Sequence, residues 1–184
     1  MKRPELDEAL VAAASAGDEA ALRNVYLALA PAVLVYLRGR GVSDPEAVTS
    51  EVFVAVLPRL PGLRGGVSGL RTLVFSVAHA RMVDSYRATA RRPATVDYEP
   101  AADTRAVPSA EDDALRELGN DRVEAILALL PADQREVLYL RVIADLSIEH
   151  VAQVMGRSQG AIKQLQRRAL IALRGLLAER RVTR

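Results

Sequence analysis

The chain lacks cysteine and tryptophan, and its 184 residues include only two histidines, two phenylalanines and five tyrosines. Without cysteine there is neither a disulfide framework nor a thiolate metal site. His79 and His150 fall in different halves of the chain with no metal-ligand spacing around them, so each reads as a surface or core residue. The glycines at 65, 66 and 69 are not followed by the Lys-Ser/Thr of a phosphate loop, and no Gly-x-Ser-x-Gly occurs. No enzyme chemistry, no metal and no cofactor are expected. The opening MKRPELDEAL has no signal-peptide segment, and no apolar run approaches the ~18 residues of a membrane span. The expectation is a cytoplasmic protein with no membrane insertion of its own.

Excess charge of one sign is also scarce overall, at a formal +2, but it is unevenly placed. Residues 1–92 carry 12 basic and 9 acidic side chains, residues 93–119 carry 2 and 7, and residues 120–184 carry 11 and 7. Two mildly basic ends thus flank an acidic middle. That middle holds Pro93, Pro100 and Pro108 and few large apolar residues, the composition of a flexible linker, with Ser109 to Leu118 able to turn helical at its end.

Strand signals are nearly missing, and helical periodicity predominates. Leu22, Val25, Tyr26, Leu29, Val33, Tyr36 and Leu37 keep one face over about four turns, with Pro31 expected to kink the helix or restart it. Asp44-Pro45-Glu46 has the cap, the N1 proline and the first-turn acid of a helix start, which runs to Pro58. Leu60 to Gly69 reads as a loop, and a long helix begins at Leu70 and ends near Arg87–Arg92. After the linker, helices are expected at about 121–130, 132–144, 147–155 and 158–178. The fold class is all-α: two small helical domains, 1–92 and 120–184, joined by the acidic linker 93–119.

Val52 to Leu57 is apolar at every position. A buried strand would account for six such residues, but the capped start at Asp44 and the lack of partner strands favour a helix. With Val48, Val52 and Val56 facing the core, Phe53 and Leu57 point elsewhere, as an exposed partner surface or against a neighbour within the domain.

Residues 148–167, IEHVAQVMGRSQGAIKQLQR, have the pattern of a helix-turn-helix. Ala152 lets two helices approach, Gly156 allows the turn and Ile162 plugs the second helix into the first. From residue 157 onward, eight arginines and lysines face Glu179 alone. A helical hairpin with a solvated charged face would share the spacing, but the one-sided charge fits a DNA reader.

Three stretches together, SDPEAVTSEVFVAVLPRL, LRTLVFSVAHARMVDSYRATARR and LPADQREVLYLRVIADLSIEHVAQVMGRSQGAIKQLQRRA, resemble the bacterial sigma factors of the extracytoplasmic-function (ECF) branch over about residues 18–178. The resemblance implies a region 2 that binds core RNA polymerase and melts the minus-10 element, and a region 4 that reads the minus-35 element. Implied partners are core RNA polymerase, promoter DNA and an anti-sigma factor. Core-binding candidates are Ala47, Ser50, Glu51, Phe53 and Leu57. Downstream-element candidates are Leu63, Arg64, Gly65, Arg71, Ser76, His79, Arg87 and Arg91. In the upstream reader, Ser158, Gln159, Lys163 and Gln164 are placed to reach base edges, with Arg157, Arg167 and Arg168 on phosphates. Two other readings share these residues: a helix-turn-helix regulator acting alone, and a degenerate sigma homologue that titrates a partner. Free of polymerase, the two modules are expected either to pack on each other or to be clamped by an anti-sigma protein.

Overall fold

The first three helices of the first module each start on an aspartate. The computed structural model of the chain describes residues 4–91 and 124–182, with side chains for 4–88 and 124–178. Asp7 caps α1 (Glu8–Ser15) by accepting from the Leu10 N–H at 2.7 Å. Asp18 caps α2 (Glu19–Gly39) through the Ala21 N–H at 2.7 Å, and Asp44 caps α3 (Pro45–Val56) through the Ala47 N–H at 2.9 Å. Such caps satisfy amide donors that the first helical turn leaves unpaired. A 3-10 turn, Leu57–Gly62, then leads into α4 (Gly66–Arg91).

Several expectations are corrected here. α1 has no counterpart in the periodicity, because its eight residues are too few to establish one. α2 runs through Pro31 as a single helix instead of restarting there. The expected loop at 60–69 is mostly helical, with Leu60 fully buried beneath it. α2 is also long and apolar enough to cross a membrane by length and composition, which a search for uninterrupted apolar runs misses. Its Val25, Leu29, Val33, Tyr36 and Leu37 are the centre of the core.

The second described part opens with a helical turn at 124–127, followed by α5 (Ala132–Leu138), a π-helical segment (Tyr139–Ile143), α6 (Ile148–Met155) and α7 (Gln159–Val182). Asp145, at φ 54°, turns the chain toward α6, and Ser147 caps that helix. Gly156 ends it in the left-handed conformation, φ 62° and ψ 35°, which a Cβ would penalise. No strand occurs among the described residues, so the fold is all-α. The acidic stretch 93–119 lies outside them.

The two parts share one core. Val137, Tyr139, Leu140, Leu146, Val151 and Ile162 of the second belong to the same buried cluster as α2, α3 and α4 of the first. A smaller cluster, Leu130, Leu138 and Ala169, seats α7 on α5.

The largest correction concerns α3. Its inward arc is Thr49, Val52, Phe53 and Val56, so Phe53 is only 2% exposed and stacks edge-on against Tyr26 with ring centroids 4.8 Å apart. Leu57 is half-buried against the same core, since the 3-10 turn carries it inward. α2, α4 and the 3-10 turn enclose enough of α3 to take two apolar stripes instead of one. The outward apolar residue is Val54, 74% exposed. Phe53→Ala is therefore expected to cost about 3–5 kcal/mol of stability, whereas Val54→Ser should stay within about 0.5 kcal/mol. Urea midpoints of the two variants distinguish these outcomes.

Candidate nucleic-acid interface

The helix-turn-helix assembles as its spacing implies. Ile162 is fully buried, Ala152 and Val154 are buried against it, and α7 leaves the turn with its basic side chains in solvent. Gln159, Lys163, Gln164, Arg167 and Arg168 are all exposed. On a helix of 3.6 residues per turn, Gln159, Lys163, Arg167 and Arg174 form one stripe, and Gln164 and Arg168 the next. Two candidates are partly engaged. Ser158 Oγ accepts from the Ala161 N–H at 3.2 Å, which makes it the cap of α7, and Arg157 is paired with Asp133 of α5 at 2.6 Å.

The downstream candidates divide into two groups. Leu63, Arg64, Gly65 and Ser76 line a groove of about 770 Å³ with Arg59, Thr72 and Leu73. The loop that forms its rim is held by Gly69, where a Cβ would lie 1.9 Å from the Arg64 carbonyl oxygen. The far wall is not part of the first module at all: it is His150 and Gln153 of α6. Ser68 Oγ and His150 Nδ1 meet there at 3.1 Å.

Arg71 and His79 point away from the groove, toward the second module. Arg71 donates to the Ala144 carbonyl at 3.1 Å. His79 Nδ1 lies 2.6 Å from Glu136 Oε1, and the Tyr36 hydroxyl donates to that same oxygen at 2.8 Å. An ionised carboxylate only accepts, so Nδ1 carries the proton in this pair. Arg40 approaches the other oxygen at 3.6 Å and donates to the Ala132 carbonyl at 2.9 Å. Burial works to raise the Glu136 carboxyl, but the His79 hydrogen bond and charge, then Arg40 and Tyr36, outweigh it and hold it below the ordinary carboxylate range. Burial, and secondly the Glu136 charge, push the Tyr36 hydroxyl well above the usual value for a tyrosine. Arg87 is exposed beside Asp84, at 3.8 Å, and the Arg91 side chain lies outside the described residues.

The grouping of Tyr36, Arg40 and Glu136 was not legible in the sequence, because Tyr36 and Glu136 meet across 100 residues. The signal available was weak: an acid at position 136 directly ahead of the apolar run Val137 to Leu140. Among the described residues no cluster able to hold a metal ion occurs.

Of the core-binding candidates, Ala47, Ser50 and Glu51 share the exposed face of α3 with Val54, and Glu51 pairs with Arg81 of α4 at 3.8 Å. Phe53 and Leu57 are not on that face.

A two-part helical protein whose second part is a helix-turn-helix with an open basic face is the class these features define. Residues 126–175 match the family model for sigma-70 region 4. The chain is 34% identical over 178 residues to the ECF RNA polymerase sigma factor SigD of Mycobacterium tuberculosis, an alignment spanning 91% of this chain and 82% of that one. It is 35% identical over 182 residues to the ECF RNA polymerase sigma factor ShbA of Streptomyces griseus, covering 91% and 93%. The chain belongs to the ECF RNA polymerase sigma factors. Its fold is also that of CnrH, solved in complex with the cytosolic domain of CnrY, at a TM-score of 0.64 and 24% identity over 95% of this chain and 99% of that one.

The depressed Glu136 carboxyl has a pH consequence. Its stabilising contribution is complete above the ordinary glutamate value of 4.5 and is lost as pH falls through the lower value of the folded state. Stability measured from pH 7 to 3 should therefore fall less steeply below pH 4.5 in Glu136→Gln than in the parent chain.

Proposed function

We propose that this chain is the sigma subunit of a bacterial RNA polymerase holoenzyme, directing core polymerase to a specific set of promoters from the cytoplasm. The open basic face of α7, in a chain related over nine-tenths of its length to ECF sigma factors, supports this reading best. Residues 120–184 act as region 4, laying α7 in the major groove of the minus-35 element. Gln159, Lys163 and Gln164 then reach base edges, while Arg167 and Arg168 hold phosphates. Ser158 and Arg157 begin that helix and adjust on binding.

Residues 1–92 act as region 2. Its groove at Leu63, Arg64, Gly65 and Ser76 takes an unstacked base of the minus-10 element. With no tryptophan in the chain, enclosure in this loop pocket accounts for strand capture better than stacking on an aromatic platform. Arg71, His79, Arg87 and Arg91 track the adjoining strand. The α3 face of Ala47, Ser50, Glu51 and Val54 meets core polymerase, and residues 93–119 connect the two regions through the enzyme. An anti-sigma protein is the third partner. The chain performs no covalent chemistry; the polymerase does.

Three measurements test this. Run-off transcription from a cognate promoter should require both core polymerase and this chain; template-specific transcripts from core alone overturn the reading. Val54→Asp should weaken core binding in a pull-down while leaving the thermal midpoint unchanged, since Val54 has no core contacts to lose. Lys163→Ala and Arg168→Ala should each weaken upstream-element binding by holoenzyme and lower the salt slope by about one unit if the side chain neutralises a phosphate. Tight operator binding without polymerase, joined to absent run-off, would instead identify a regulator that acts alone.

A further inference from the structure

We propose that Glu8 of α1 is a positioning residue for the downstream-element groove. From outside the groove it fixes the rim loop, and it fills the anion site that the start of α4 would otherwise offer to a strand phosphate. What the groove reads is taken from the sigma-factor reading above; the placement of the loop rests on the contacts. The chain turns into α4 on Gly65 and Gly66, with φ of 83° and 54°, a left-handed conformation that a Cβ penalises. The residue ahead of the helix is therefore a glycine, where Asp7, Asp18 and Asp44 stand ahead of the first three helices. The Gly69 N–H takes the Gly65 carbonyl at 2.9 Å, but the Val67 N–H lies too early in α4 to have a partner within it. It donates to Glu8 Oε1 at 3.1 Å, across 59 residues. The second carboxylate oxygen sits over Gly66, so close that a Cβ there would overlap it.

Glu8 is itself held in place. Asp7 caps the turn that carries it, and Val11 and Ala14 seat α1 in the shared core. Glu8 does not line the groove; Leu63, Arg64 and Gly65 do, and they directly precede the Gly66–Val67 pair that it holds. Gly69 fixes the same loop from the helix side, against the Arg64 carbonyl. The rim is thus pinned at two points, one by close backbone packing and one by a carboxylate. The charge matters as well as the bond. Unpaired N–H groups at a helix start attract anions, so a bare α4 would compete for a phosphate of the strand. With Glu8 in position, the strand's charge is left to Arg59 and Arg64, which line the groove, and the groove is left to the base.

Two measurements test this. In the full chain without polymerase, Glu8→Ala should speed hydrogen exchange at the Val67 amide by roughly fivefold, the size of effect that follows loss of a helix cap. Glu8→Gln, whose amide oxygen still accepts, should stay near the parent. The second measurement uses holoenzyme and a promoter that the parent transcribes in run-off. Its preference for the single-stranded minus-10 oligonucleotide over a scrambled one should fall by a similar factor in Glu8→Ala, because selective capture scales with the fraction of loops in the competent form. The salt slope of strand binding should steepen by about 0.7 as a strand phosphate takes the vacated helix start. Binding of the duplex minus-35 element should not change, and Glu8→Gln should restore the strand preference. Glu5→Ala, which removes an exposed acid ahead of the same helix, controls for net charge and should alter none of these. Parent-like exchange or parent-like strand preference in Glu8→Ala overturns the role of Glu8, as does an equal loss in Glu5→Ala. Faster Val67 exchange in Glu8→Ala together with no run-off by the parent holoenzyme upholds the loop anchor and removes the sigma-factor reading instead.

Discussion

Among the described residues, Glu136 is the one buried carboxylate, and both halves of the molecule are tied to it. It sits on the second module, but every group that satisfies it comes from the first: the Tyr36 hydroxyl and Arg40 guanidinium of the α2 end, and the His79 imidazole of α4. A carboxylate with this little exposure is tolerated only when its oxygens are fully partnered. The partners are themselves held. Arg40 Nε lies 3.4 Å from the Met82 sulfur, and the Tyr86 hydroxyl donates to the Arg40 carbonyl. Tyr36 packs edge-on to Phe75 and Tyr139, with centroids 5.8 and 6.4 Å away. Removing the carboxylate would leave Arg40 buried beside its remaining neighbours without its counter-charge.

That arrangement divides the functional surface in two. The α7 face depends on the helix-turn-helix alone, which Gly156, Ser147 and Ile162 set up locally. The downstream groove depends on long-range packing, since its walls come from the glycine loop, α4 and α6. A local motif can be read from its own spacing, and the helix-turn-helix was. The Asp44-Pro45-Glu46 start was legible for the same reason, because capping chemistry lies within four residues.

What sequence could not supply is the direction of faces that depend on a neighbour. Val52 to Leu57 is uniformly apolar, so periodicity cannot say which residues face in; only the positions of α2 and α4 decide that Phe53 is inside and Val54 outside. His79 and Arg71 likewise have the composition of nucleic-acid contacts. Their commitment to Glu136 and to the Ala144 carbonyl follows from a meeting of segments far apart in the chain. The glycines at 62–69 suggested a loop, although Gly65 and Gly66 use their positive φ to begin a helix there.

The π-helical turn at Tyr139–Ile143 has a further implication. An α-helix repeats its faces on a fixed cycle, and a wider turn offsets that cycle by one position. Ahead of it, Leu138 joins Leu130 and Ala169 under α7, while Val137 joins the shared core. Within it and at its end, Leu140 and Ala144 are both fully buried in the shared core, and Val142 between them is in water. The segment therefore acts as a phase adjuster that lets one short stretch of chain serve two neighbours lying in different directions. Its residue count, more than the identity of any side chain in it, sets the angle at which the helix-turn-helix unit meets the rest of the protein.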